Sequence, residues 1–160
     1  MVRLKVRWLA LSFEWEERTS LPPLTSTHLM EALRESLEEN FGEMGLGRNL
    51  SRLKVIYFSP ATGFGVIRCA RTYYQLVWAA LTLMTSIGGV RVAIQVIHCS
   101  GTIKRLQTEV IGSLRTWLEA FKTILTKRNP NLKGPALDLR LSEAQRHFDE
   151  AEKAIMTLTI

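Results

Sequence analysis

Apolar and polar positions alternate with two different periods along this chain, and the periods set the expected elements. Residues 2–13, VRLKVRWLALSF, alternate at period two, with Val2, Leu4, Val6 and Trp8 on one face and Arg3, Lys5 and Arg7 on the other. That predicts a strand with one buried face and, at its start, one cationic face. After Pro22-Pro23, Leu29, Leu33, Leu37 and Phe41 recur at helical spacing and predict a helix over residues 26–41, with Glu31, Arg34, Glu35, Glu38 and Glu39 on its solvated side. Gly42, Gly45 and Gly47 then read as a loop, and they lack the order of a nucleotide-binding glycine motif. Residues 51–59 and 64–71 read as two strands joined by the hairpin signal Ser59-Pro60-Ala61-Thr62-Gly63.

The stretch from Arg68 to Gly89 predicts the central helix of the core. Thr72 and Gln75 have the spacing of a capping box, and Gly88-Gly89 reads as a helix stop. Between them the side chains are apolar almost all the way round, but the run is shorter than the roughly 18–20 residues of a membrane span. Val90 to Cys99 is a β-branched run that reads as a buried strand. The order strand, helix, strand, strand, helix, strand predicts an α+β, ferredoxin-like (RNA-recognition-like) βαββαβ antiparallel sheet. A long helix over residues 102–127 follows, its stripe of Ile103, Leu106, Val110, Leu114, Trp117, Leu118, Phe121 and Leu125 wide enough for the open sheet face or a partner. A linker at 132–140 precedes a last helix, expected to start at a Ser142/Gln145 capping box and to bury Phe148, Ala151 and Ile155. The division is a ferredoxin-like domain with its long helix at 1–128, and linker plus terminal helix at 129–160.

Charge changes the picture. The net charge is +6, and from Met44 to Thr108 there is no Asp or Glu at all, while Arg48, Arg52, Lys54, Arg68, Arg71, Arg91, Lys104 and Arg105 fall inside that span. A middle carrying one sign points to a polyanionic partner. At the junction Ser100-Gly101-Thr102-Ile103-Lys104-Arg105, a helix start carries two cations where carboxylates are favoured, and a phosphate would resolve the conflict. The second hairpin strand, Thr62 to Cys69, echoes an RNA-recognition strand, but only Phe64 fits its aromatic positions and Val66 and Cys69 do not, so base stacking there is not expected. His28, His98 and His147 lie in three different elements, and the middle of the fold offers no carboxylate cluster for catalysis. Cys69 and Cys99 read as buried free thiols, and no secretory signal opens the chain.

Four segments together carry a resemblance. Met1-Val2-Arg3-Leu4-Lys5-Val6-Arg7-Trp8, Ile67-Arg68-Cys69, Tyr74-Gln75-Leu76-Val77-Trp78-Ala79-Ala80-Leu81 and Ser100-Gly101-Thr102-Ile103-Lys104 resemble the Pop-five protein subunit family of ribonuclease P and ribonuclease MRP, over roughly residues 1–110. Trp8 stands where that family generally has Tyr, and the region after about Gly112 has no match. The resemblance implies a non-catalytic protein without cofactor, bound to a catalytic RNA that carries Mg²⁺ and matures precursor tRNA or ribosomal RNA. It further implies a TIM-barrel-like partner subunit, other ribonuclease P/MRP proteins and, in a eukaryote, a nuclear and nucleolar address. RNA contact is expected from Arg3, Lys5, Arg7, Arg68, Arg71, Gly101, Thr102, Lys104 and Arg105; Arg71 and Arg105 rest on charge alone. The alternatives are another basic RNA-binding or ribosomal protein and a small ferredoxin-like enzyme or ligand-binding module.

Overall fold

The computed structural model describes residues 5–16, 23–128 and 135–158. The elements are β1 (Val6–Trp15), α1 (Ser26–Leu50), β2 (Lys54–Ser59), β3 (Phe64–Ala70), α2 (Tyr74–Leu83), β4 (Ser86–Ile87), β5 (Val90–Ser100), α3 (Ile103–Arg128) and α4 (Pro135–Met156). The sheet runs β2-β3-β1-β5-β4, every neighbour antiparallel. This is the expected ferredoxin-like arrangement with one extra two-residue strand.

Both faces of the sheet are covered. Leu9, Leu11, Phe13 and Trp15 of β1 point into a core closed by Leu29, Leu33 and Leu37 of α1 and Val77, Ala80 and Leu81 of α2. The intervening Trp8 and Ala10 join Phe64 and Val66 beneath Ile103, Leu106, Val110 and Leu114 of α3. Ala144, Phe148, Ala151 and Ile155 of α4 complete that second core. The long apolar stripe therefore goes to the sheet. Gln107 pins the two outer helices together, its Nε2 lying 2.8, 3.3 and 3.1 Å from the carbonyl oxygens of Ile155, Met156 and Leu158. Because both faces are roofed, β1 has two buried sides from Trp8 to Leu11, where alternation predicted only one. Val2, Arg3 and Leu4 lie outside the described residues.

Several local expectations fail for identifiable reasons. The Thr72/Gln75 capping box does not form: residues 71–73 make a turn in which the Tyr73 N–H donates to the Ala70 carbonyl at 3.3 Å, and α2 begins at Tyr74. Gly88-Gly89 does not stop a helix. Both residues have positive φ, 56° and 81°, and form the two-residue loop between Ile87 and Val90, which pair across β4 and β5. Such a loop needs φ > 0 twice, which two glycines supply. α2 ends earlier, at Leu83, and buries one side only, leaving Trp78 and Leu83 39% and 55% exposed. Residues 43–50 are helical and not a loop; Gly42, at φ 67°, kinks α1 and the helix resumes beyond it. Buried Gly45 and Asn49 hold that second segment in place, the Asn49 Nδ2 donating to the Gly45 carbonyl at 3.0 Å. α4 starts at Pro135, ahead of the expected Ser142, whose hydroxyl donates instead to the Leu139 carbonyl at 2.7 Å.

Candidate nucleic-acid interface

Strand register gathers the cations at one end of the sheet. Val6 pairs with Ala70, Arg7 with Cys69, Trp8 with both Arg68 and Ser100, and Lys54 with Arg68. The start of β1, the end of β3, the start of β2 and the end of β5 therefore share one edge. The Arg71 N–H donates to the Lys5 carbonyl at 3.0 Å and extends this edge by one residue on each strand. Lys5, Arg71, Lys104 and Arg105 are exposed, and Arg7 and Arg68 are half-buried. Arg3 lies outside the described residues. The structure thus brings together every other predicted contact residue, although they come from three separate segments.

The Ser100–Arg105 junction is built tightly. Buried Ser100 accepts the Thr102 N–H at 3.1 Å and donates its hydroxyl to the Thr102 carbonyl at 2.9 Å. Thr102 is therefore occupied in fixing the turn, while the Leu106 N–H opens the helical bonding to its carbonyl at 3.3 Å. Donors of the first helical turn have no intrahelical partner by the geometry of any α-helix. Gly101 has a separate role: a Cβ there would sit 2.9 Å from Arg7 Nη1, so the bare backbone makes room for the guanidinium beside the α3 start.

These charges are not neutralised from within. Among the described residues, the carboxylates paired with cations hold Arg91, Arg115, Lys122, Arg146 and His147, and none lies on Lys5, Arg7, Arg68, Arg71, Lys104 or Arg105. Arg68 instead stacks over the Trp8 ring, 5.9 Å from its centroid, with its Nε buried and unpartnered. Sequence reasoning passed over three further cations at the same edge. Arg48 lies over the Tyr73 ring at 5.5 Å, Arg52 sits in the turn whose N–H donates to the Asn49 carbonyl at 3.1 Å, and Lys54 opens β2. Counting back from the 59–64 turn sets Val55 opposite Arg68; the irregularity between Val55 and Tyr57 shifts the register by one and brings Lys54 there instead, so the sequence alone held no signal for it.

Other chemistry finds little footing. Among the described residues no group of three or more His, Cys, Asp or Glu is placed to hold a metal ion. His28 takes the α1 N-terminus, accepting the Thr25 N–H at Nδ1 at 3.1 Å, and His147 lies 3.9 Å from Glu150. His98 is half-buried in β5, its Nε2 without a partner. Cys69 and Cys99 are free thiols flanking β1; burial chiefly, with Cys99 adding, pushes Cys69 up to about 12, against a smaller lowering by Arg7. Phe64 is buried beneath α3, so the strand that echoed a base-stacking motif offers no ring to RNA. No helix among the described residues is long and apolar enough to cross a membrane.

A ferredoxin-like sheet roofed on both faces, with cations at one end that meet no carboxylate among the described residues, fits the class of small RNA-binding proteins. The chain belongs to the Rpp14/Pop5 family, whose model matches residues 7–111. It is 37% identical over 120 residues to the ribonuclease P/MRP protein subunit POP5 of Schizosaccharomyces pombe, covering 69% of this chain and 86% of that one. Similarity to the probable ribonuclease P/MRP protein subunit POP5 of Dictyostelium discoideum is 30% over 138 residues, 86% of this chain and 80% of the relative. Ribonuclease P protein component 2 of Archaeoglobus fulgidus is 36% identical over 104 residues, 57% of this chain and 95% of its own. A chain of the yeast Ribonuclease MRP cryo-EM structure matches with a TM-score of 0.48 and 12% identity, over 64% of this chain and 79% of that one.

Proposed function

We propose that this protein is a non-catalytic, RNA-binding subunit of ribonuclease P, ribonuclease MRP or both. In that role it braces the catalytic RNA during 5′ maturation of precursor tRNA, and in the MRP particle during ribosomal RNA processing. One observation carries the reading: in a chain of this family, cations from four segments converge on one strand-end edge and find no carboxylate there among the described residues. Phosphate oxygens complete such a surface, because each ion pair formed with the RNA releases condensed counterions. Mg²⁺ belongs to the RNA in this reading, and the protein contributes no metal ligand.

A TIM-barrel-like subunit is the proposed protein neighbour, alongside other ribonuclease P/MRP proteins. Trp78 and Leu83 on the outer side of α2, with Met44 and Leu50 of α1, 67% and 42% exposed, supply apolar surface away from any sheet contact. In a eukaryotic source the complex would reside in the nucleus and nucleolus. The test is gentle purification of the tagged full chain followed by sequencing of the RNA that accompanies it. Recovery of a ribonuclease P or MRP RNA, with cleavage of precursor tRNA or rRNA lost when the RNA is digested, is expected. Ribosomal or messenger RNA, or none, would overturn the assignment.

A further inference from the structure

The cations at the strand ends fall into two groups along the edge, one on the β2 side and one where β5 leads into α3. Lys5 and Arg7 alternate with Trp8 and share the face of Leu9 and Cys69, toward α1 and α2. Arg7 reaches Gly101 and the start of α3. Arg68 and Lys54 lie opposite one another across β3 and β2, on the face of Trp8. From β2 to β5 is three strand intervals, about 14 Å. A cation pair directly opposed on neighbouring strands is a destabilising arrangement in a free protein. The ordinary remedy, a carboxylate within reach, is missing here among the described residues. Arg48 in the last turn of α1 and Arg52 in the turn that follows add charge of the same sign ahead of Lys54, that turn being fixed by the bonds of both the Arg52 and the Leu53 N–H to the Asn49 carbonyl at 3.1 and 2.9 Å.

We infer that Arg48, Arg52 and Lys54, acting with Arg68, form a second phosphate-contact site for RNA, separate from the one around Arg7 and Lys104. The inference rests on the proposed RNA-binding role and adds to it a footprint across the strand ends. The RNA backbone is then engaged at two places on one edge, β2 side and α3 side. Relief of the Lys54/Arg68 repulsion becomes part of the binding free energy.

Two variants of the full chain test this against a transcribed ribonuclease P RNA, titrated over a range of salt. Arg48→Gln/Arg52→Gln/Lys54→Gln should lower the slope of log K against log salt by about 2.1–2.7, the value for three phosphate contacts. Near 0.15 M salt each lost contact is worth about a four- to sixfold drop in affinity by the same relation. An unchanged slope overturns the site. Lys54→Glu supplies a readout that a merely structural role would not give. A carboxylate opposite Arg68 should raise the melting temperature of the free protein while RNA affinity falls, and a fall in both would overturn the inference. If the wild-type chain itself does not bind this RNA, the underlying RNA-binding role fails first, and that outcome is distinct from failure of the β2-side site alone.

Discussion

At the scale of single residues, position in the sheet decides what a side chain does. Cys69 is fully buried between β1 and the α1/α2 layer, and its thiol weakly contacts the Arg7 carbonyl at 3.8 Å. Burial holds the proton on: the folded thiol titrates at about 12 against an ordinary 9.0. A group whose pKa is raised on folding adds stability below its unfolded pKa and loses that contribution as pH climbs to the folded value. Stability should therefore decline between pH 9 and 12, with a Cys69 component of at most about 1.4 kcal/mol per pH unit. Urea unfolding of wild type and Cys69→Val across this window should show the variant with the shallower decline; parallel curves would refute it. Gly101 gives a second residue-scale prediction. Gly101→Ala puts a methyl where Arg7 Nη1 lies, and because that is the end of a flexible side chain the fold should lose under about 0.5 kcal/mol. RNA affinity should nevertheless drop several-fold as the guanidinium is displaced, and equal affinity in a binding titration would remove Gly101 from the interface.

Elements answer a different question, namely which of them the chain could announce by itself. Period-two and helical spacing are strong in β1, β2, β3, β5 and α3, and those elements end within two residues of where the pattern puts them; β2 begins three residues late, and the start expected for β1 lies outside the described residues. What misled was local chemistry with more than one use. A double glycine ends helices and also builds tight hairpins, and only the pairing of Ile87 with Val90 selects the second. Thr72 and Ser142 have capping chemistry, yet the turn closed by the Tyr73 N–H on the Ala70 carbonyl takes Thr72, and α4 is already under way from Pro135 when it reaches Ser142. The three glycines after Phe41 weaken helix propensity, but burial of Gly45 and Asn49 overrides it. Whether the stripe of α3 faced the sheet or a partner was undecidable from spacing, since both would select the same side chains. The structure makes α4 part of that answer, with Phe148 6% exposed against the α3–sheet core. Phe148→Ala should cost about 3–5 kcal/mol in urea unfolding of the full chain. A loss below about 1 kcal/mol would mean that α4 is an appendage and not a layer of the fold.

At the scale of the whole molecule, the two ends of the sheet carry charge of opposite sign. Glu14 and Glu16 close β1 at the far end, where Arg91 is drawn to Glu16 at 3.9 Å. The strand-end edge opposite carries Lys5, Arg7, Arg68, Arg71, Lys104 and Arg105 without such partners among the described residues. The carboxylate-free middle was readable as one sign of charge, but its convergence on one edge needed the strand register. Net charge alone would steer any polyanion, so the final prediction separates placement from total charge. Lys104→Gln/Arg105→Gln and Arg91→Gln/Arg115→Gln each remove two positive charges. The second pair is already engaged, Arg91 with Glu16 and Arg115 with Glu152 at 2.9 Å, and neither belongs to the strand-end edge. In salt titrations with ribonuclease P RNA, the first variant should lose about 1.4–1.8 from the slope of log K against log salt, two phosphate contacts' worth. The second should leave the slope near its wild-type value. Equal losses would reduce the interface to a long-range charge effect. An unchanged slope in the first variant would take the α3 start out of contact with RNA.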